Sequence, residues 1–233
     1  MVIEGAISIK AALQSGKRDI NKVYIDKNKK TKDFNYIRRL LKEKHVLSVE
    51  TTREELEKIT DSRTFGGILA DVSERRSDEF TDGDVFVVDG VEDPFNLGYI
   101  ARSLYAFGIK NLVLPGRDYS FMESQILKSS AGASEYMNVI YAEDMVECVK
   151  GLKKDYRIYG LKRDDTSKDI FDTVFHDKSC FLLGGEKRGL SGGLEELCDE
   201  YLYISYGSDF RNALNACSAC ATVATLLYRQ KRK

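Results

Sequence analysis

The chain has 233 residues, 42% hydrophobic and 31% charged, with two prolines and a formal net charge of -1. That is enough apolar material for a packed core, and it excludes both a disordered chain and a uniformly basic one, so a nucleic-acid partner would require basic residues gathered on one face. No apolar run approaches twenty residues and Glu4 interrupts the opening MVIEGAISIKAAL, which excludes a transmembrane helix and a signal peptide and leaves a cytoplasmic protein as the default expectation.

Residues 3–72 read as a small α/β unit. A helical pattern from Ile7 to Leu13 stops at Ser15-Gly16, and Val23–Ile25 is a short strand. Phe34, Ile37, Leu40 and Leu41 fall at helical spacing over 34–44, Val46–Val49 is a second strand, and Thr52 followed by Glu55 opens a capped helix to Ile59. Gly67–Val72 is a third strand. Lys27, Lys29, Lys30, Lys32, Arg38 and Arg39 concentrate basic charge here, as a solvated face or as a face for phosphates. The polar stretch SERRSDEFTDGD, residues 73–84, reads as a linker, so the expected division is 1–78 and 79–233.

From Val85 strands and helices alternate, which implies a parallel sheet with helices on both faces. Val85–Val88 is an apolar strand of the buried type. Pro94 tolerates a helix entry, Asn96 is placed to cap or precede the helix, and Leu97, Ile100, Ala101, Leu104 and Phe107 make its buried stripe. Strands at Leu112–Leu114, Val139–Tyr141 and Ile158–Leu161 alternate with helices from Gln125 to Ala133 and from Met145 to Lys154. The last two apolar runs, Cys180–Leu183 and Tyr201–Ser205, each pass through a loop into a helix.

Cys148, Cys180, Cys198, Cys217 and Cys220 are odd in number and scattered, which is no disulfide framework. Cys217 and Cys220 form a CxxC inside a run of Ala, Ser and Thr, where small core residues are the simpler account. His45 and His176 lie near no nucleophile or ligand cluster, so neither a metal site nor a serine triad is expected.

The loop Leu183–Ser191, LGGEKRGLS, follows a strand directly, and its glycines admit close approach of a ligand. It is neither a GxGxxG opening a helix nor a GK[ST] loop, so an ordinary dinucleotide or phosphate site is not indicated. Two further loops, Asp93–Gly98 and Gly207–Asn215, also follow strands. Strand ends of a parallel sheet gather at one edge, which would bring Asn96, Arg102, Glu186 and Asn215 to one crevice. Three of them have a plain structural alternative: a helix cap for Asn96, an exposed helix position for Arg102, a local ion pair for Glu186.

DPFNLGYIARSLYAFG, LLGGEKRGLS and ISYGSDFRNALNACSACA, with KSSAGASEYMNV between them, resemble the ordered motifs of the SpoU-type (TrmH-like) RNA 2′-O-methyltransferases. IEGAISIKAAL and the α/β unit it opens resemble the small RNA-binding domain that precedes the catalytic domain in many members. The resemblance implies a SPOUT fold with a C-terminal trefoil knot, a homodimer with both subunits near each site, and methyl transfer from S-adenosylmethionine to a ribose of tRNA or rRNA. It implies cofactor contacts at Leu183, Gly184, Ile204 and Leu214, and a base or phosphate-gripping role for Arg102. Asn96 would orient Arg102 or the ribose, and Glu186 and Asn215 would shape the knot loops. The sequence departs from the family pattern at Ala213, where serine is usual, at Ser205-Tyr206, where Pro-Met is usual, and at Lys187, where glycine is usual.

Overall fold

The computed structural model describes every residue except Arg63, Glu186, Lys187 and Lys233. Two sheets organise it. In the first, β1 (Val2–Glu4), β2 (Ile20–Asp26), β3 (Ser48–Thr51) and β4 (Ile68–Val72) take the order β1-β4-β2-β3. β4 runs antiparallel to β1 and β2, and β3 is parallel to β2. Helices α1 (Ala6–Ser15), α2 (Lys32–Glu43) and α3 (Arg53–Glu57) accompany them. α2 buries Phe34, Ile37, Leu40 and Leu41, the stripe its 3.6-residue period dictates. Gly16 ends α1 at φ 66°, a left-handed position suited to glycine. Thr52 caps α3 through the Glu55 amide.

The strand expected at Val46–Val49 lies instead at Ser48–Thr51, because the Val46 amide closes α2 by donating to the Leu41 carbonyl at 2.9 Å. β1 has only three residues and no readable alternation, so the sequence pattern did not identify it.

The second sheet holds β5 (Val85–Val88), β6 (Asn111–Pro115), β7 (Asn138–Ala142), β8 (Arg157–Leu161), β9 (Lys168–Asp169), β10 (Ser179–Leu183) and β11 (Glu200–Tyr203). Their order is β7-β6-β5-β10-β8-β11-β9, and every neighbouring pair is parallel. The expected parallel α/β sheet is therefore present. Helices α4 (Pro94–Ala106), α5 (Glu123–Ser129), α6 (Met145–Leu152), α7 (Gly192–Glu195) and α8 (Ala216–Lys231) complete it.

Alternation along β5 and β10 divides the core. Phe86, Val88, Phe181 and Leu183 face the layer of α4 and α8, while Val85, Val87, Cys180 and Leu182 face α6 and α7. Phe86, Phe181 and Tyr159 stack across three neighbouring strands at 5.0 and 5.3 Å between ring centroids. Cys220 is fully buried in the α8 layer, as the small-core-residue reading expects.

The helix expected over 125–133 ends at Ser129 and gives way to a 3-10 turn at Ala133–Tyr136. Between them Gly132 takes φ 83° against α1, where an added Cβ would come within 2.7 Å of the Ala11 side chain.

The polar 73–84 stretch is docked. Arg75 is buried and donates to the Ser134 and Met137 carbonyls, and the Asp78 amide bonds the Val139 carbonyl at 2.9 Å along the edge of β7. Among the described residues no helix is long and apolar enough to cross a membrane.

Candidate functional site

The C-terminal ends of the parallel strands lie at one edge of the sheet, and the loops after β5, β8, β10 and β11 meet there. The Asp89 amide donates to the Leu183 carbonyl at 2.8 Å, and the Asp89 carboxylate accepts the Ser191 amide, also at 2.8 Å. The loop after β10 folds back on itself, with the Gly189 amide bonding the Gly185 carbonyl at 2.9 Å.

This closure leaves no room for side chains. A Cβ on Gly184 would stand 2.2 Å from the Gly189 carbonyl carbon, and one on Gly185 would stand 2.3 Å from the Gly90 oxygen. Backbone lies on both sides of each contact, so neither can yield cheaply. Gly184→Ala is expected to lower folding stability by at least about 2 kcal/mol, as overpacking does. Urea denaturation followed by circular dichroism measures this, and a change under about 0.5 kcal/mol would contradict the closure described.

Two cavities open at this edge. The smaller, about 240 Å³, is lined by Leu183, Gly184, Ile204 and Leu214, together with Arg163 and Tyr206. All four residues matched to cofactor contacts in the sequence thus line one cavity. Its walls are mostly apolar side chains and loop backbone. The larger, about 570 Å³, is lined by Asp89, Glu92, Asp93, Asn96, Arg188 and Ser191. Gly185 and Gly189 belong to both walls, so the two cavities adjoin.

Asn96 sits in the first turn of α4. The cap is Asp93, whose carboxylate accepts the Asn96 amide at 2.8 Å, so Asn96 neither caps nor precedes the helix, contrary to the expectation from sequence. Asn215 does cap a helix: its side-chain oxygen accepts the Ser218 amide at 2.8 Å at the start of α8. The two helix starts meet where the Cys217 thiol donates to the Asn96 carbonyl at 3.4 Å.

Arg102 is placed apart from this cluster. It is exposed on α4 and lines neither cavity, and among the described residues it forms no ion pair or hydrogen bond. Phe95 and Tyr99 precede it by seven and three positions on the same outward stripe and are 49% and 47% exposed. Glu186 lies outside the described residues.

Sequence reasoning passed over Asp89, Ser191, Arg163 and Tyr206. Asp89, Arg163 and Tyr206 stand within three residues of a strand end and Ser191 directly precedes α7, so element boundaries alone were the available signal. Among the described residues no cluster of His, Cys, Asp and Glu could hold a metal.

Comparison with known proteins bears on this arrangement. The family model described as SpoU rRNA Methylase family matches residues 84–225, more than half of the chain. A second, described as RNA 2′-O ribose methyltransferase substrate binding, matches residues 2–77. A relative named for the TrmH family of tRNA/rRNA methyltransferases, from Staphylococcus haemolyticus, is 25% identical over 244 residues, covering 100% of this chain and 97% of its own. Among solved structures, the SpoU methyltransferase AviRb from Streptomyces viridochromogenes in complex with AdoMet aligns with TM-score 0.80 at 21% identity, covering 99% of this chain and 90% of its own. An AdoMet-bound rRNA methyltransferase from Sinorhizobium meliloti aligns with TM-score 0.81 at 17% identity, covering 100% and 88%. At these identities the two structures speak for the fold.

Proposed function

We propose, since the chain belongs to the SpoU rRNA methylase family, that it transfers a methyl group from S-adenosylmethionine to a ribose 2′-hydroxyl of tRNA or rRNA. The observation that carries this reading is the convergence of Leu183, Gly184, Ile204 and Leu214 on one apolar-walled cavity. Such a cavity suits an adenosyl group, because its described walls are mostly apolar side chains and loop backbone. The bound cofactor supplies an electrophilic methyl. The adjoining larger cavity then receives the target nucleotide, and the chain's own work is to align a ribose oxygen and help remove its proton.

The larger cavity is rich in carboxylates, from Asp89, Glu92 and Asp93, which repel a phosphate. Arg188 is the one cation among the described lining residues, so a substrate phosphate there gains from added positive charge. Arg102 lies outside the cavity in its own chain, on a stripe with exposed Phe95 and Tyr99. A homodimer packed on this stripe accounts for the exposed rings and carries each Arg102 toward the partner's site. There it grips the phosphate or serves the reacting oxygen. Asn96 orients the nucleotide within the cavity, and Asn215 fixes the start of α8. A trefoil knot formed by the segment after β11 is part of the same reading, as is a cytoplasmic location.

Residues 1–78 form the RNA-holding unit and 79–233 the catalytic one. Lys27, Lys30 and Lys32 are exposed, and among the described residues they form no ion pairs, so they remain available to phosphates. Arg38 and Arg39 are already engaged by Glu50 and Glu43 at 2.7 and 3.3 Å.

Calorimetric titration with S-adenosylmethionine tests the cofactor: one site per chain is expected, and no binding with or without RNA would overturn it. The dimer has a separate test. Tyr99→Glu is expected to give a monomer by light scattering and to lower methyl transfer by about 30-fold or more, as loss of an interface anchor does. An unchanged mass would remove this stripe from the interface.

A further inference from the structure

Arg163 stands two residues beyond the end of β8, in the wall of the 240 Å³ cavity. Its guanidinium carbon lies 4.6 Å from the centroid of the Tyr206 ring, and one of its terminal nitrogens donates to the Phe210 carbonyl at 3.4 Å. Tyr206 is fixed in turn, because its hydroxyl accepts the Leu214 amide at 3.0 Å. A planar cation thus lies over an aromatic ring that is itself tied to the cavity wall.

Stacking orients a guanidinium and leaves its edge free, and of its five N–H donors the Phe210 contact uses one. Among the described residues Arg163 forms no ion pair. Its neighbour Lys162, the other cation of this wall, is shared between Asp164 and Glu195 at 3.4 and 3.8 Å. The remaining described lining residues are uncharged. Among the described lining residues, an amino-acid carboxylate entering this cavity therefore meets one oriented cation free of an ion pair.

We infer that Arg163 recognises the carboxylate at the methionine end of S-adenosylmethionine, and that Tyr206 holds the plane of the guanidinium for that contact. This assignment rests on the cofactor reading above. It also gives a role to Tyr206, one of the positions where the sequence departs from the family pattern.

The test compares two ligands by calorimetry. S-adenosylhomocysteine carries the amino-acid end; 5′-methylthioadenosine keeps the adenosine and sulfur and lacks it. Arg163→Ala is expected to weaken the first by about 10- to 100-fold, the worth of a hydrogen bond to a charged group. It should change the second by less than about 2-fold, since no charge pair is lost there. Arg163→Lys should fall between, because it restores the charge without the planar fork. Methylthioadenosine binding also reports that the variant is folded. Equal weakening of both ligands would reduce Arg163 to a loop support and overturn the assignment, as would unchanged binding of S-adenosylhomocysteine. If the unaltered protein bound neither, the cofactor reading would fail and this assignment with it.

Discussion

Replacing Arg18 with alanine is expected to lower folding stability by about 3–5 kcal/mol, the usual result of removing one partner from a buried charge cluster. The Arg18 side chain is 3% exposed and bonds Glu123 at 2.6 Å and Glu135 at 2.8 Å, with the Glu135 side chain 1% exposed. Burial alone would lower the arginine pKa, but the two carboxylates override it and hold the guanidinium above its ordinary value. Without Arg18 two carboxylates remain in the interior, with Arg75 no closer to Glu135 than 3.9 Å. For a chain of this size the loss corresponds to a fall in Tm of roughly 10 °C. Adding Glu123→Gln and Glu135→Gln to Arg18→Met should recover much of it, because then no charge is stranded. A loss under about 1 kcal/mol in urea denaturation would contradict the account.

The same cluster welds the two sheets together. Arg18 precedes β2 in the first sheet, whereas Glu123 and Glu135 belong to the segment between β6 and β7 in the second. Lys17 pairs with Asp78, and Lys128 of α5 with Glu4 of β1 at 2.7 Å. Burial alone would raise both carboxyls, but hydrogen bonds override it: Lys128 holds Glu4 below its ordinary value, and Arg75 and Lys17 do so for Asp78. An acid whose folded pKa is depressed contributes stability above its unfolded pKa and loses it as pH falls, so this junction should weaken progressively below about pH 4.

Replacing Arg102 with alanine is expected to lower methyl transfer by about 1,000-fold, in the range seen when a charge-stabilising donor is removed from a reacting oxygen. Because Arg102 is exposed, stability should change by no more than about 0.5 kcal/mol. Cofactor affinity should hold within about 2-fold, since Arg102 does not line that cavity. Arg102→Lys should recover little, because a lysine cannot reproduce a planar fork. A rate loss below about 10-fold would remove Arg102 from the chemistry. Unchanged RNA binding with no transfer even by the unaltered protein would favour a non-catalytic RNA-binding scaffold.

The parallel sheet was legible because Val85–Val88 and Cys180–Leu183 are apolar at every position, the pattern of strands covered on both faces. The cofactor-matched residues were legible because three ordered motifs carry them. The docked 73–84 stretch was not, since Arg75 and Asp78 look like solvent residues until partners some 60 positions away are seen to bury them. β1 was hidden for a related reason: Glu4 reads as polar, but Lys128 neutralises it inside. Arg163 and Tyr206 come together only through the fold, 43 residues apart in sequence, and no periodicity records that contact.

The central claim is tested most directly by incubating the unaltered protein with methyl-labelled S-adenosylmethionine and total RNA, then digesting the RNA to nucleosides. Label on 2′-O-methyl ribose, in linkages resistant to alkali, is the predicted result. Label on a base nitrogen or carbon, or no transfer to any RNA despite cofactor binding, would contradict it.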